Sequence, residues 1–193
     1  MMKNRLVQLI RRLYFEIIRL VAGGERAARF LGVRVGKGCR ILTSRFGSEP
    51  WLIDIGDRVT ITNGVTILTH DGATWLVRDE KGRRYRYGRV SIGNDVFIGI
   101  NAIIMPGVRI GNRVIIGAGS VVTRSIPDGL MVAGNPARVI GLSDRYWSRA
   151  LAEFPSAMDL KGTSYRERVL SVVENGFAPP LEDPNSQSNA PKQ

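Results

Sequence analysis

Residues 92–127 repeat one pattern of residue types every six positions. An aliphatic residue opens each of the six units, namely Ile92, Ile98, Ile104, Ile110, Ile116 and Val122. Glycine follows four of them, at Gly93, Gly99, Gly111 and Gly117, and a residue that is mostly small or β-branched stands four places after each aliphatic one. This repeat constrains the fold more than any other feature, because consecutive units of one composition must adopt one shape.

A period of six excludes the two common regular structures. An α-helix repeats about every 3.6 residues, and a half-buried strand alternates apolar with polar residues and has no fixed glycine. A short strand with an inward aliphatic residue, followed by a glycine at a bend, is the unit of a parallel β-helix. Three such units make one coil, so the six units of the repeat supply two coils.

The same units extend towards the N terminus, where they begin at Val35, Ile41, Ile55, Ile61 and Ile67. The spacing from Ile41 to Ile55 exceeds two units by two positions, which predicts a small bulge at residues 46–51. Residues 69–90 break the pattern and are polar and charged, which predicts a protruding loop. Because the rigid coil fixes both ends of this loop, we expect function there.

On these residues the chain resembles the hexapeptide-repeat acyltransferases. Residues 117–141 further resemble the end of the β-helix in the sugar O-acetyltransferase branch, through the motif Asn135-Pro136-Ala137-Arg138. The resemblance covers about residues 33–141 and implies an all-β core, a left-handed parallel β-helix shaped as a three-sided prism. The resemblance supplies the handedness, since most parallel crossovers are right-handed. It also implies a homotrimer with active sites between adjacent subunits.

Composition restricts the chemistry. The net charge is +11, and residues 1–40 carry ten Lys or Arg against two Glu, which suits a nucleotide cofactor, an acidic lipid surface or nucleic acid. A single cysteine excludes a disulfide framework and a cysteine-based zinc site. A single histidine argues against the three-histidine metal site of the carbonic anhydrases that share this prism.

The two ends of the chain are predicted to be helical. Residues 1–32 form a basic amphipathic arm, with a helix over 4–22 that ends at Gly23-Gly24 and an apolar stripe composed of Leu6, Ile10, Leu13, Ile17 and Val21. We expect this stripe to cap the β-helix or to pack on a neighbouring subunit, and contact with an anionic membrane is the alternative. Residues 142–177 form a helical extension with caps at Ser143 and Thr163, and residues 178–193 form a disordered tail.

The predicted location is cytoplasmic, with peripheral contact to the inner membrane face through the helix as the alternative. Charged residues interrupt the helix too closely for a membrane span. Its apolar stretch is also too short for a secretory signal.

His70 is the only histidine and begins the protruding loop in Leu68-Thr69-His70-Asp71-Gly72. Histidine ordinarily titrates near neutral pH and so suits general-base catalysis. In the resembled O-acetyltransferases a histidine at this place is the general base, which implies that role for His70, with a purely structural loop histidine as the alternative. Asp71 is a weaker candidate for orienting the imidazole, because adjacent side chains of an extended chain point apart.

Stacking between coils predicts a column of small residues at one corner of the β-helix. Residues three units apart lie above one another, so Gly99 is predicted to stack on Gly117 and Ile100 on Ala118. Such a column suits an extended amide-bearing chain, although a bend alone explains the glycines. The resemblance selects acetyl-CoA as co-substrate without a metal, and it implies CoA contacts at Phe97, Gly99, Ile100, Gly117, Ala118, Thr123, Arg124 and Arg138. Within that set Phe97 would wall the acetyl group and the two arginines would bind phosphate, with solvated surface charge as their alternative.

The candidates for acceptor binding are Glu49, Trp51, Asp71 and Trp75, because aromatic faces near carboxylates suit a sugar ring.

The resemblance implies O-acetylation of a sugar or glycan in capsule, lipopolysaccharide or exopolysaccharide. One alternative is N-acetylation of a nucleotide-linked amino sugar, whose amine needs less help from a base. Another is a non-catalytic protein that binds nucleic acid or lipid through its basic arm, although no nucleic-acid motif accompanies that charge and no nucleic acid is expected.

Overall fold

The computed structural model describes residues 2–174 and 176–178, with the backbone alone in residues 2–9, 11 and 12. The chain divides into two compact units, residues 1–148 and residues 149–193. The first unit contains α1 (Met2–Ala22), α2 (Gly24–Leu31) and the β-helix. The division falls within α3 (Ser143–Glu153), and α4 (Tyr165–Leu170) belongs to the second unit.

Three sheets of short strands form the three faces of the β-helix. The first face contains β1 (Arg34–Val35), β3 (Ile53–Ile55), β8 (Val90–Ile92) and β11 (Arg109–Ile110). The second face contains β2 (Arg40–Ile41), β4 (Thr60–Ile61), β9 (Phe97–Ile98), β12 (Ile115–Ile116), β14 (Leu130–Ala133) and β15 (Arg138–Leu142). The third face contains β5 (Thr66–Ile67), β10 (Ile103–Ile104) and β13 (Val121–Val122). Neighbouring strands within the faces run parallel, except that β15 returns antiparallel to β14.

The strand register confirms the predicted coil length. Ile98 pairs with Ile116, and Ile104 pairs with Val122, so partners in successive coils stand three repeat units apart. The six aliphatic residues of the repeat stack inside the prism and are each at most 2% exposed. Burial of one such side chain contributes about 1.5–3 kcal/mol, so the repeat supplies the core as well as the shape.

The corner between the first and second faces is held by a ladder of polar side chains. In each step a side-chain oxygen accepts a backbone N–H from the coil beneath it, in the order Asp57 from Lys37, Asn94 from Asp57, Asn112 from Asn94, and Asp128 from Asn112. Glycine precedes three of these acceptors, and a Cβ on Gly93 would lie 2.7 Å from the carbonyl oxygen of Gly111. Glycine is therefore required here by the close approach of successive coils.

The predicted bulge and the protruding loop leave the β-helix on the same side, at the turn from the third face to the first. In the bulge Phe46 is buried, and a 3₁₀ turn spans Pro50–Leu52. The loop contains a second 3₁₀ turn, Gly72–Leu76, and an antiparallel hairpin formed by β6 (Arg78–Asp79) and β7 (Gly82–Arg83). An antiparallel bridge between His70 and Tyr87 closes the base of the loop.

The N-terminal helices pack differently from the prediction. Gly23 separates α1 from α2, and it is α2 that contributes the fully buried Ala27 and Ala28 to the core. Of the described side chains in α1, Phe15 is buried, whereas the predicted stripe residues Ile10, Leu13, Ile17 and Val21 are exposed. The side chain of Leu6, the fifth stripe residue, lies outside the described ones. The expectation that this stripe caps its own β-helix is therefore wrong, and its packing on a neighbouring subunit stays a prediction. No helix in the described part of the chain is long and apolar enough to span a membrane.

The C-terminal caps also differ from the prediction. Ser143 is buried at the start of α3, and its hydroxyl has no hydrogen-bond partner among the described residues. Ser164 caps α4 instead of Thr163, through a capping box in which Ser164 accepts the N–H of Glu167. The helix ends at Leu170. Residues 179–193 of the predicted tail lie outside the described residues.

Candidate active site at one corner of the β-helix

Two corners of the β-helix contain most of the predicted site residues. The His70 corner is the turn from the third face to the first and comprises residues 46–52, 68–89, 105–108 and 123–125. The glycine corner is the turn from the second face to the third and comprises residues 62–65, 99–102 and 117–120. The third face separates the two corners within one chain.

The imidazole of His70 is held by a carboxylate from the coil beneath it. His70 Nδ1 lies 2.9 Å from Glu49 Oε2, and the hydroxyl of the fully buried Thr69 donates to the same oxygen at 2.6 Å. Glu49 reaches this position because the bulge lengthens its coil, so that Glu49 precedes Thr69 by two positions more than three repeat units. The bulge that interrupts the six-residue repeat therefore also places Glu49 beside His70.

The Glu49 carboxylate stays ionised in this setting. Partial burial would raise its pKa, but the hydrogen bonds from Thr69 and His70, with the attraction to the imidazole, outweigh burial and hold the pKa of Glu49 below its ordinary value. An ionised carboxylate only accepts hydrogen bonds, so Nδ1 of His70 carries the hydrogen and donates. In the neutral ring Nε2 is then left with a free lone pair, which is the atom that a general base uses.

Two of the four predicted acceptor residues form hydrogen bonds within the chain, and their contact with an acceptor stays a prediction. One carboxylate oxygen of Glu49 accepts hydrogen bonds from His70 and Thr69, which places Glu49 beside the imidazole. Asp71 accepts the N–H of Ala73 and begins the 3₁₀ turn of the loop, so it does not orient His70. Trp51 and Trp75 both remain more than half exposed, as an acceptor platform requires.

The glycine corner stacks as predicted. The N–H of Gly119 donates to the carbonyl of Ile100 in the coil beneath, and Ile100 and Ala118 are both exposed. A Cβ on Gly99 would lie 2.5 Å from the nitrogen of Ala118, and one on Gly117 would lie 2.9 Å from Ala133 Cβ. Coil spacing alone therefore requires both glycines, and their contact with CoA stays a prediction.

Three predicted donor-site residues come together at the C-terminal end of the β-helix, which is its top when the N-terminal coil is placed at the bottom. Thr123, Arg124 and Arg138 line one open cavity of about 260 Å³ with Pro127 and Val139. Both guanidinium groups are on exposed residues, and that of Arg138 donates to the carbonyl of Ala137. Two cationic forks over a cavity suit phosphate groups, so these residues fit the charged end of CoA.

Phe97 lies in β9, two positions before the glycine corner begins. Its ring is on the second face, where it lines a cavity of about 440 Å³ with Arg58, Ile115, Tyr146 and Trp147. Within one chain it does not wall the His70 corner, and its role beside an acetyl group stays a prediction.

Sequence reasoning missed the aromatic neighbours of His70. The ring of Tyr87 stands edge-on to the imidazole with centroids 6.2 Å apart, and Tyr85 stacks on Tyr87 at 6.2 Å. The available signal was the alternation of Arg83, Tyr85 and Tyr87 with Arg84 and Arg86, which is typical of one face of an extended segment.

Comparison with known proteins agrees with this architecture. Residues 89–124 match the bacterial transferase hexapeptide family, six repeats. Protein CapG of Staphylococcus aureus is 46% identical over 152 residues, which are 77% of this chain and 87% of CapG. Galactoside O-acetyltransferase of Escherichia coli (strain K12) is 39% identical over 92 residues, which are 48% of this chain and 45% of that protein. The solved structure of a hexapeptide-repeat containing acetyltransferase from Vibrio cholerae shares 30% identity and a TM-score of 0.51, over 58% of this chain and 63% of that chain.

The similarity to CapG extends over most of both chains, and the hexapeptide match falls on coils whose paired strands stand three repeat units apart. The parallel strands and the hexapeptide-repeat neighbours imply that the β-helix is left-handed. This chain belongs to the bacterial hexapeptide-repeat transferases.

Proposed function

We propose that the protein transfers acetyl from acetyl-CoA to a hydroxyl of a sugar or glycan, with His70 as general base. The observation that carries this proposal is the hydrogen bond from His70 Nδ1 to the ionised Glu49, because it leaves Nε2 free to accept a proton. The names of the relatives support acetyl transfer as the reaction, since two of the proteins compared are acetyltransferases and one of these two is a galactoside O-acetyltransferase.

In the proposed mechanism, Nε2 of His70 removes the proton from the acceptor hydroxyl while the oxygen attacks the thioester carbonyl. Glu49 stabilises the imidazolium that forms, through the bond to Nδ1. The tetrahedral intermediate then collapses, its C–S bond breaks, and the imidazolium returns the proton to the leaving thiolate. One acetyl ester and one free thiol result, and His70 is neutral again.

Acetyl-CoA is proposed to bind along the glycine corner and to reach the cavity at the top of the β-helix. Exposed backbone at Ile100 and Ala118 suits the amides of pantetheine. Arg124 and Arg138 suit the phosphates, where arginine binds bidentately. Exposed backbone amides along the groove and two arginines at its end together favour acyl-CoA as the co-substrate.

We propose a homotrimer because, within one chain, the third face separates the proposed base from the proposed CoA groove. His70 and the glycine corner lie on opposite edges of the third face, so a groove between two copies would bring the His70 corner of one against the glycine corner of the next. A trimer closes such a heterologous contact into a ring. The setting we propose is modification of capsule, lipopolysaccharide or exopolysaccharide.

The test is a mass-spectrometric screen of glycans after incubation with acetyl-CoA and either wild-type protein or the His70→Ala variant. Removal of a general base is expected to lower turnover on a hydroxyl acceptor by about a hundredfold or more. Near-normal turnover by His70→Ala on a hydroxyl would contradict the base role. Near-normal turnover of the variant on an amino sugar, with no ester formed by wild type, would favour N-acetylation instead.

A further inference from the structure

We propose that the protruding loop is a binding site for an anionic glycan, one whose sugar units carry a carboxylate or a phosphate. The inference rests on the proposed function, since it assigns the acceptor class of the same site. It concerns an aromatic row, defined as Trp75, Arg83, Tyr85 and Tyr87, which leads away from the imidazole of His70.

Successive members of the aromatic row are in ring contact. Tyr87 contacts the imidazole of His70 edge-on, and Tyr85 stacks on Tyr87 with an interplanar angle of 7°. The guanidinium of Arg83 lies 4.5 Å from the ring centroid of Tyr85 and 4.3 Å from that of Trp75. The row therefore begins at the proposed reacting group and continues without a gap to Trp75.

The two faces of segment 83–87 differ in charge. Arg84 and Arg86 point to one side, where Arg84 pairs with Asp79 and Arg86 lies 3.7 Å from Asp71. Arg83 belongs to the other side with the tyrosines, and no carboxylate lies within ion-pair distance of it among the described residues. Asp79 and Asp71 thus pair with the arginines of the face without rings, and Arg83 leaves uncompensated positive charge on the face with them.

Arg83 is held in a geometry that suits an acidic group. The rings of Trp75 and Tyr85 both lie against its guanidinium and restrict its movement. Its Nε is buried and has no hydrogen-bond partner among the described residues. A planar fork fixed in this way binds a carboxylate or a phosphate with two parallel hydrogen bonds, at a smaller cost in side-chain entropy than a free arginine pays.

The tyrosines supply the remainder of a glycan site. Tyr85 and Tyr87 are both more than half exposed, so each can place ring carbons and a hydroxyl against a sugar. Rings beside cations also suit single-stranded nucleic acid. The contact between Tyr87 and His70 favours the glycan, because a ligand on the row then presents a sugar hydroxyl to the proposed base.

The test measures binding by isothermal titration calorimetry with two matched pairs of probes. Tetragalacturonate is compared with its methyl ester, and pentamannose 6-phosphate with unphosphorylated pentamannose. The variants are Arg83→Gln, Arg83→Lys and the control Arg84→Gln, which removes an equal charge from the opposite face of the same segment. Thermal melting checks that each variant is folded.

One acidic probe is expected to bind about tenfold or more tightly than its neutral partner, as a charged hydrogen-bonding pair contributes. Arg83→Gln should abolish that preference, Arg83→Lys should keep part of it through charge alone, and Arg84→Gln should keep all of it. A preference within the galacturonate pair would identify a carboxylate as the group that Arg83 binds. A preference within the mannose pair would identify a phosphate. Equal binding of acidic and neutral probes in both pairs would overturn the inference, as would equal losses in Arg83→Gln and Arg84→Gln, or tighter binding of single-stranded oligouridylate.

Acetyl transfer assayed on the same probes separates this inference from the proposed function. Transfer to neutral and acidic glycans alike, with no binding preference, would overturn the inference and leave the function standing. A preference for acidic probes that depends on Arg83, with no acetyl transfer to any glycan, would refute the function and retain the binding site.

Discussion

Substitution of Glu49 tests how the imidazole is prepared for its proposed task. One oxygen, Glu49 Oε2, accepts hydrogen bonds from both His70 Nδ1 and the Thr69 hydroxyl. Glu49→Gln keeps the shape and an oxygen acceptor but removes the charge. Glu49→Ala removes the contact entirely and leaves the buried Thr69 hydroxyl without its acceptor.

The expected sizes follow from these contacts. A hydrogen bond to a charged group contributes about 1.5–3 kcal/mol and one between neutral groups about 0.5–1.5 kcal/mol. The difference predicts a loss of roughly tenfold in kcat for Glu49→Gln, and the full contact predicts a loss of about ten- to a hundredfold for Glu49→Ala. Both losses should be smaller than that of His70→Ala. Glu49→Ala should also destabilise the fold by about 1–3 kcal/mol, because the Thr69 hydroxyl is left buried and unpaired.

The assay is steady-state acetyl transfer to the acceptor found by the glycan screen, at saturating acetyl-CoA, with urea unfolding measured in parallel. Thr69→Val is the matched control, because it removes the second donor to Glu49 and leaves the imidazole contact in place. We expect this control to keep kcat within about threefold of wild type, since the hydrogen bond that is removed lies outside the reacting groups and the bond from His70 to Glu49 remains. Wild-type kcat in Glu49→Ala, or equal losses in Thr69→Val and Glu49→Ala, would refute the positioning role.

Three further predictions concern the core, the donor site and pH. Ile104→Ala, in the fully buried stack, should lower the free energy of unfolding by about 2–5 kcal/mol, and a loss well under about 1 kcal/mol in urea unfolding would contradict the core assignment. Arg124→Gln should raise KM for acetyl-CoA severalfold while leaving KM for S-acetylpantetheine unchanged, because only the former carries phosphates, and equal changes for both thioesters would exclude a phosphate contact. Because the folded pKa of Glu49 is lowered, its stabilising contribution is complete above the ordinary carboxyl range and is lost as pH falls through the folded pKa. Unfolding free energies across acidic pH should therefore fall more steeply for wild type than for Glu49→Gln, and parallel curves would argue against the shift.

The coil was predictable from sequence because one residue type serves one structural purpose at each position. Ile98 and Ile116 must point inward in successive coils, so the period of the aliphatic residues fixes the coil length. The N-terminal helix was not predictable in the same way. Its stripe is apolar enough to be a core face, yet the chain buries Phe15 instead, because Gly23 turns α2 rather than α1 onto the end of the β-helix.

The candidate site was predictable in part for a related reason. His70 stands out as the only histidine, at the start of the segment that breaks the repeat. Glu49 cannot be recognised from the sequence as the partner of His70. The bulge shifts the register by two positions, so the spacing of three repeat units does not hold across it. The aromatic row was missed because residues 69–90 were considered only as an interruption of the repeat, whereas segment 83–87 follows a period of two.

In the proposed active site one imidazole, held by Glu49, meets the thioester of acetyl-CoA. A crystal structure of the assembled protein with CoA and a glycan acceptor tests this most directly. We predict that His70 Nε2 lies within hydrogen-bond reach of the acceptor hydroxyl, about 2.6–3.2 Å directly or through one water, with the CoA sulfur beside that hydroxyl. A structure in which the sulfur of every bound CoA lies away from His70, for example in the cavity beside Phe97, would contradict the account.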